Sequence, residues 1–245
     1  MSDNNVKIEL EKDIDAFMMM GQSNMAGRGR LGEVRPIDNP NCLMYRMSTW
    51  LKLQEPVNID GAFGNEYSPG ISIAGSFCEE YYNAFNKKCG VVPCAKGGTR
   101  ICEWQPGEPL FENALLQAKF SMREANLKGI LWHQGEGDLA RGNADKYYDN
   151  FYNMITTFRN SLNMPNLPVF VGEISENISE NWNITKDKIV YFNQKLVELT
   201  NKIDNCYLVK ASELPLKFDG LHFTASSLRT LGVRYFEAYK NYLNK

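Results

Sequence analysis

Ser23 stands in the stretch Met20-Gly21-Gln22-Ser23-Asn24-Met25-Ala26-Gly27, just beyond an apolar run. A serine on a tight turn after a buried strand is held rigidly and points into the crevice at the strand's end. The backbone N–H groups of such a turn can face the same point and begin an oxyanion hole. A serine there could also do no more than cap the helix that follows. A hydroxyl needs a base to act as a nucleophile, and the chain offers His133 and His222. His222 lies in Phe218-Asp219-Gly220-Leu221-His222-Phe223. At the Asp-x-x-His spacing a loop or single turn can set the carboxylate against imidazole Nδ1. That contact fixes the tautomer, stabilises the imidazolium and leaves Nε2 for the serine. Asp-Gly is also a common turn signal, and a surface turn with an idle histidine would read the same way. The pair gains its weight from Ser23.

His133 closes the run Leu131-Trp132-His133 and reads as a packed strand-end histidine. Gln134, Glu136 and Asp138 follow it. A glutamine amide can donate to a developing oxyanion, while Glu136 reads as an acceptor that holds loops together. In Lys96-Gly97-Gly98-Thr99 the glycines allow close backbone approach and present bare N–H groups. The stretch lacks the pattern of a phosphate loop, and Gly27-Arg28-Gly29-Arg30 misses the dinucleotide fingerprint. Arg100, Glu103 and Trp104 follow the glycines, and Arg141 and Asn143 follow Gln134. Such residues can stack on and hydrogen-bond a sugar ring, and Arg100, Trp104 and Glu136 are the candidate substrate contacts. Trp50, Trp104 and Trp182 fall in loop-like segments, where an indole can stack on a sugar or pack its loop onto the body.

The elements that must position these residues alternate. Apolar runs at 16–20, 42–46, 90–94, 129–133, 169–174 and 206–210 are expected strands. Amphipathic stretches at 72–85, 109–126, 144–162, 186–203 and 225–243 are expected helices. In the third of these, Tyr148, Phe151, Tyr152, Ile155 and Phe158 recur at helical spacing. Strand–helix alternation implies a parallel sheet covered on both faces, an α/β three-layer αβα sandwich. Ligands of such sheets sit beyond the carboxyl ends of the strands. The polar clusters 21–27, 96–99 and 134–138 each follow directly on a strand, so three strands deliver them to one edge. No repeat, linker or low-complexity tract interrupts the chain, which reads as one domain over 1–245.

Composition removes other classes. The formal net charge is −2 with no basic stripe, against a nucleic-acid partner. No apolar run has the length of a membrane span. The stretch from Met1 to Asp15 lacks the basic start and apolar segment of a secretory signal, so a cytoplasmic protein is expected, meeting small substrates rather than polymers. With six cysteines in no C-x-x-C pair and only two histidines, metal ligands are scarce, and reduced, partly buried thiols are expected. The sequence leaves the oligomeric state open.

Four blocks together resemble the SGNH hydrolases, and more closely the carbohydrate esterase family 6 and sialate O-acetylesterase-like group, which includes acetylxylan esterases. They are Gly21-Gln22-Ser23-Asn24-Met25, Lys96-Gly97-Gly98-Thr99 with Trp104, Leu131-Trp132-His133-Gln134-Gly135-Glu136-Gly137-Asp138, and Asp219-Gly220-Leu221-His222. They come in the family's order and span nearly the whole chain. The resemblance implies a flavodoxin-like fold and a serine esterase that removes O-acetyl groups from carbohydrates such as xylo-oligosaccharides or sialic acid-like sugars. It implies a catalytic triad of Ser23, Asp219 and His222, an oxyanion hole from Ser23, Gly97 and Gln134, and no metal or organic cofactor. Gln134 departs from the asparagine of the wider superfamily.

Two rival classes use the same residues. Glu136 and Glu173 end successive strands and could serve as the acid and nucleophile of a retaining glycosidase, but this leaves Ser23, Gly97 and the Asp219–His222 pair without a role. A non-catalytic sugar-binding module would use the strand ends only as hydrogen-bond donors. Ester hydrolysis without added metal separates the three.

Overall fold

The computed structural model describes residues 12–245 except Glu66 and Asn143, with the backbone alone of Asp145. Asn143 and most of the polar N-terminal stretch therefore lie outside the described residues. The chain runs β1 (Ile14–Gly21), α1 (Ser23–Ala26), β2 (Cys42–Arg46), β3 (Thr49–Lys52), α2 (Ala74–Phe85), β4 (Lys88–Pro93) and α3 (Pro109–Ser121). It continues through β5 (Ala125–His133), α4 (Glu136–Arg141), α5 (Tyr147–Ser161), β6 (Val169–Gly172), α6 (Lys186–Lys202), β7 (Cys206–Val209) and α7 (Ala225–Leu243).

The strands form one sheet in the order β3-β2-β4-β1-β5-β6-β7, parallel except for β3. Side chains on a strand alternate between its faces, and β1 shows why two cores result. Phe17 and Met19 face a layer built by α2 and α7, with Phe77, Tyr81, Leu231, Tyr235 and Tyr239. Ala16, Met18 and Met20 face the other, built by α3, α5 and α6, with Phe111, Phe151, Phe158, Phe192 and Leu196. This is the three-layer αβα sandwich expected from the alternation. All six cysteines are free thiols, Cys102 alone being exposed. Burial pushes the Cys78 and Cys89 thiols up and that of Cys94 up to about 12.

Three local features differ from the sequence expectation. Strand β3 was not foreseen. Met47 and Ser48 turn into it with φ of 53° and 60°, a conformation that the residue types do not signal. Trp50, expected in a loop, therefore sits on this edge strand, tilted against Tyr45. Next, α3 stops at Ser121 and β5 starts at Ala125, because Ala125, Asn126 and Leu127 pair with Ile14, Asp15 and Ala16 of β1. Finally, two short helices absent from the expected elements, α1 and α4, open within the polar clusters after β1 and β5.

From β1 the chain winds one way through β2 and β4 and the other way through β5, β6 and β7. The switch point, where ligands of such sheets bind, falls at the strand that delivers Ser23. Among the described residues no helix is long and apolar enough to cross a membrane, and no group of three His, Cys, Asp or Glu is placed to hold a metal ion.

Candidate active site

Gly21 ends β1 with φ of 129°, and a Cβ there would stand 2.2 Å from the His133 carbonyl oxygen. Only glycine passes this close to the end of β5. The Gln22 N–H then donates to the same carbonyl at 2.9 Å, pinning the turn, and Ser23 opens α1. Its side chain faces His222, which lies 199 residues further along, with Ser23 Oγ 2.9 Å from His222 Nε2. His222 Nδ1 lies 2.8 Å from Asp219 Oδ2.

The Asp219 loop is built locally. Its Oδ1 accepts the N–H groups of Leu221 (3.0 Å) and His222 (2.9 Å), while Gly220 takes a left-handed φ of 65°. Burial alone would raise the Asp219 pKa, but the His222 ring and these two N–H groups outweigh it and hold the carboxyl well below the usual range. Asp219 is therefore a carboxylate at any ordinary pH, the state in which it can stabilise an imidazolium. Trp182 Nε1 donates to the Asp219 carbonyl at 2.8 Å, and the Ser179 N–H to that of Gly220 at 2.8 Å. The 3-10 turn Glu180–Trp182 thus braces the loop.

Asn24, next to Ser23, spans the same loop. Its Oδ1 accepts the Phe223 N–H at 3.1 Å and its Nδ2 donates to the Leu221 carbonyl at 3.3 Å, so it holds the residues on either side of His222. Nδ2 also donates to Glu136 Oε1 at 2.7 Å. Burial would raise Glu136, but the neighbouring His133 and the Asn24 bond keep it below its ordinary value. His133 itself is buried, 3.6 Å from Glu136 Oε1 through Nε2 and 3.4 Å from Tyr235 Oη through Nδ1, the packed strand-end residue the sequence suggests.

Ser23 and His222 open onto a cavity of about 430 Å³, also lined by Gln22, Tyr67, Gly98, Arg141, Trp182 and Leu221.

Several residues stand elsewhere than expected. The Gly97 N–H, assigned to the oxyanion hole, donates to Asp60 Oδ2 at 2.6 Å. Gln134, assigned to the same hole, is fully buried and does not line the cavity. Its Nε2 donates to the Thr99 carbonyl at 2.9 Å and to Asp138 Oδ2 at 2.7 Å, which uses both amide hydrogens. It ties two loops together beneath the site. Burial raises the Asp138 carboxyl that receives it. The side-chain amides of Gln22 and Asn65 do line the cavity, Gln22 with its Oε1 anchored by the Gly137 N–H at 3.1 Å.

Trp104 is a core residue, not a stacking surface. It is wholly buried, set edge-on to Trp132, and donates through Nε1 to Thr99 Oγ1 at 3.1 Å. Arg100 precedes the 3-10 turn Ile101–Trp104, its backbone N–H donating to Glu103 Oε2 at 2.8 Å, and does not line the cavity. Glu136 does line it, although one of its oxygens is held by Asn24. The glycosidase reading loses its second acid. Glu173 is bound by Lys210 Nζ at 2.6 Å and the Ala211 N–H at 3.2 Å, away from the cavity, and the sheet is open rather than a barrel. Trp182, Tyr67 and Asp60 are at the site without having been marked as contacts. Only Trp182 carried a signal, as an indole in a loop.

A family profile described as carbohydrate esterase, sialic acid-specific acetylesterase, matches residues 13–241. A probable carbohydrate esterase of Arabidopsis thaliana is 32% identical over 242 residues, covering 91% of this chain and 89% of that protein. The X-ray structure of that plant protein matches with a TM-score of 0.81 at 29% identity, over 94% of this chain and 99% of the other. The crystal structure of NanS shares the fold, with a TM-score of 0.75 at 16% identity over 96% of this chain and 99% of the other.

Proposed function

The chain belongs to the sialic acid-specific acetylesterase family of carbohydrate esterases, and on that premise we propose that it removes O-acetyl groups from small sugars through an acyl-enzyme formed on Ser23. The family makes it a carboxylic ester hydrolase with an acetylated carbohydrate as substrate. The observation that carries the mechanism is the continuous contact from Ser23 Oγ to His222 Nε2 at 2.9 Å and from His222 Nδ1 to Asp219 Oδ2 at 2.8 Å.

Ser23 Oγ attacks the acetyl carbonyl carbon as its proton passes to His222 Nε2, and the carbonyl oxygen becomes an oxyanion. The Ser23 N–H, in the first turn of α1 where no helical carbonyl precedes it, is suited to receive that charge. Gln22, beside it on the cavity wall, supplies the side-chain amide in the role expected of Gln134. The C–O bond to the sugar then breaks and His222 returns the proton to the sugar oxygen. Water, deprotonated by His222, attacks the acetyl-serine, the acyl C–O bond to Ser23 breaks as His222 returns the proton to Oγ, and acetate leaves. Acetylated xylo-oligosaccharides and sialic acid-like sugars are the candidate substrates, with Trp182 and Arg141 on the cavity wall to meet them.

The test is the release of acetate from acetylated sugars and from p-nitrophenyl acetate, with Ser23→Ala beside the wild type. Loss of several orders of magnitude in kcat and an acetyl group on the Ser23 peptide after rapid quenching are expected. Turnover by Ser23→Ala above about a tenth of wild type rejects the mechanism.

A further inference from the structure

We propose that Tyr67 is a specificity-determining residue of the ester site: with Trp182 it forms an aromatic corner that holds the ring of the leaving sugar on the imidazole side of the cavity. The inference rests on the esterase reading above. Tyr67 belongs to none of the four sequence blocks, yet it lines the same cavity as Ser23 and His222 and is 42% exposed. Its ring meets that of His222 edge-on, with centroids 5.9 Å apart at 64°. It also meets Trp182 edge-on, at 6.4 Å and 81°. The Tyr67 backbone is held by a local turn, in which its N–H donates to Asn65 Oδ1 at 2.9 Å and Ser68 Oγ donates to the Asn65 carbonyl at 2.7 Å. Trp182 is held through Nε1, which donates to the Asp219 carbonyl. With that polar edge occupied, the half-buried indole offers the cavity its apolar surface.

The chemistry of the ester says which part of the substrate meets these rings. In the esterase reading the carbonyl oxygen turns to the Ser23 N–H at the start of α1, while the alcohol oxygen takes a proton from His222 Nε2. That transfer needs the alcohol oxygen within hydrogen-bond reach of Nε2, about 2.6–3.2 Å. The sugar carbon that bears it therefore lies beside the imidazole. Residues packed on the imidazole border the sugar rather than the acetyl group, and Tyr67 is one of them. Two rings set nearly at right angles make a corner, in which a pyranose laid flat on one wall meets the other with its rim. The C–H groups of a pyranose are slightly positive and an aromatic face is negative, so the contact is attractive as well as apolar. An acyclic alcohol has no such flat face and would lose rotamer freedom to imitate one. The corner thus selects a cyclic leaving group, whatever the acyl group.

The experiment compares a monoacetylated methyl pyranoside with glycerol monoacetate, which carry the same acyl group on a cyclic and on an acyclic polyol. The quantity read is the ratio of their kcat/KM values in each protein, in which the intrinsic reactivity of the two esters cancels when variants are compared. Tyr67→Ala should lower the ratio at least about tenfold, mainly through a higher KM for the pyranoside, while Tyr67→Phe should stay within about twofold of wild type. A wild-type ratio in Tyr67→Ala, or a loss in Tyr67→Phe as large as in Tyr67→Ala, overturns the role of the Tyr67 ring. Should Tyr67→Ala not fold, Tyr67→Leu, which keeps apolar bulk without a flat ring, should lower the ratio at least about threefold, and an unchanged ratio there overturns the role as well. Serine-dependent hydrolysis of both esters with the wild-type ratio in the variants sinks only Tyr67. Hydrolysis that survives Ser23→Ala removes the esterase reading and this role together.

Discussion

Asn24 donates to Glu136 at 2.7 Å, linking the residue after Ser23 to the first residue of α4. Because the same amide holds the backbone on both sides of His222, Asn24 sets the distance between the Ser23 and His222 side chains. Its removal should misplace the imidazole relative to Ser23. Asn24→Ala is expected to lower kcat by about a hundredfold with little change in KM. Steady-state kinetics on an acetylated sugar decides it, and a wild-type kcat would mean that the loops hold His222 unaided.

Asp219 offers two readouts. Asp219→Asn keeps the shape but no longer stabilises the imidazolium, and kcat should fall by about 10⁴. The second readout is stability. The folded carboxyl sits below its usual range, so its contribution is full above the unfolded value of about 3.9 and is lost as pH falls through the folded value. The difference in unfolding free energy between wild type and Asp219→Asn should be flat above about pH 5 and shrink below about pH 4. Urea titrations across that range measure it, and a gap that widens toward acid would contradict the assignment.

For Gln134 the expected loss is in stability. Gln134→Ala removes the donor to the Thr99 carbonyl and leaves the buried Asp138 Oδ2 with the Ile101 N–H alone, a cost of about 1–3 kcal/mol. The fall in kcat should stay below the factor of about 10²–10³ that follows loss of an oxyanion donor. Denaturant unfolding and kcat on the same preparation separate the roles, and a stable protein with a thousandfold lower kcat would restore Gln134 to the oxyanion hole.

The two tryptophans should behave in opposite ways. Trp104→Ala opens a hole in the core and should cost about 3–5 kcal/mol, whereas Trp182→Ala should raise KM for acetylated sugars. Thermal unfolding and KM, measured for both, test the pair. A rise in KM confined to Trp104→Ala would reverse their places.

The Asp219–His222–Ser23 grouping and the layers were legible because their signals are local or periodic. Asp219 and His222 are three residues apart and close on each other through a short turn. Ser23 follows an apolar strand at once, and strand–helix alternation fixes a doubly wound sheet with its clusters on one edge. What lay beyond the sequence is the direction in which each cluster points. Gln134 is aimed by acceptors on Thr99, 35 residues away, and on Asp138, neither of which its own position announces. Trp104 reads as a loop residue but meets Trp132 across the fold and is buried. Asp60 carries no motif and becomes part of the site because its segment crosses the end of β4 and meets Gly97 and Arg28. Residue types and spacing thus specified the chemistry available at the edge. Long-range packing, which pairs donors with acceptors far apart in the chain, decided which groups face Ser23.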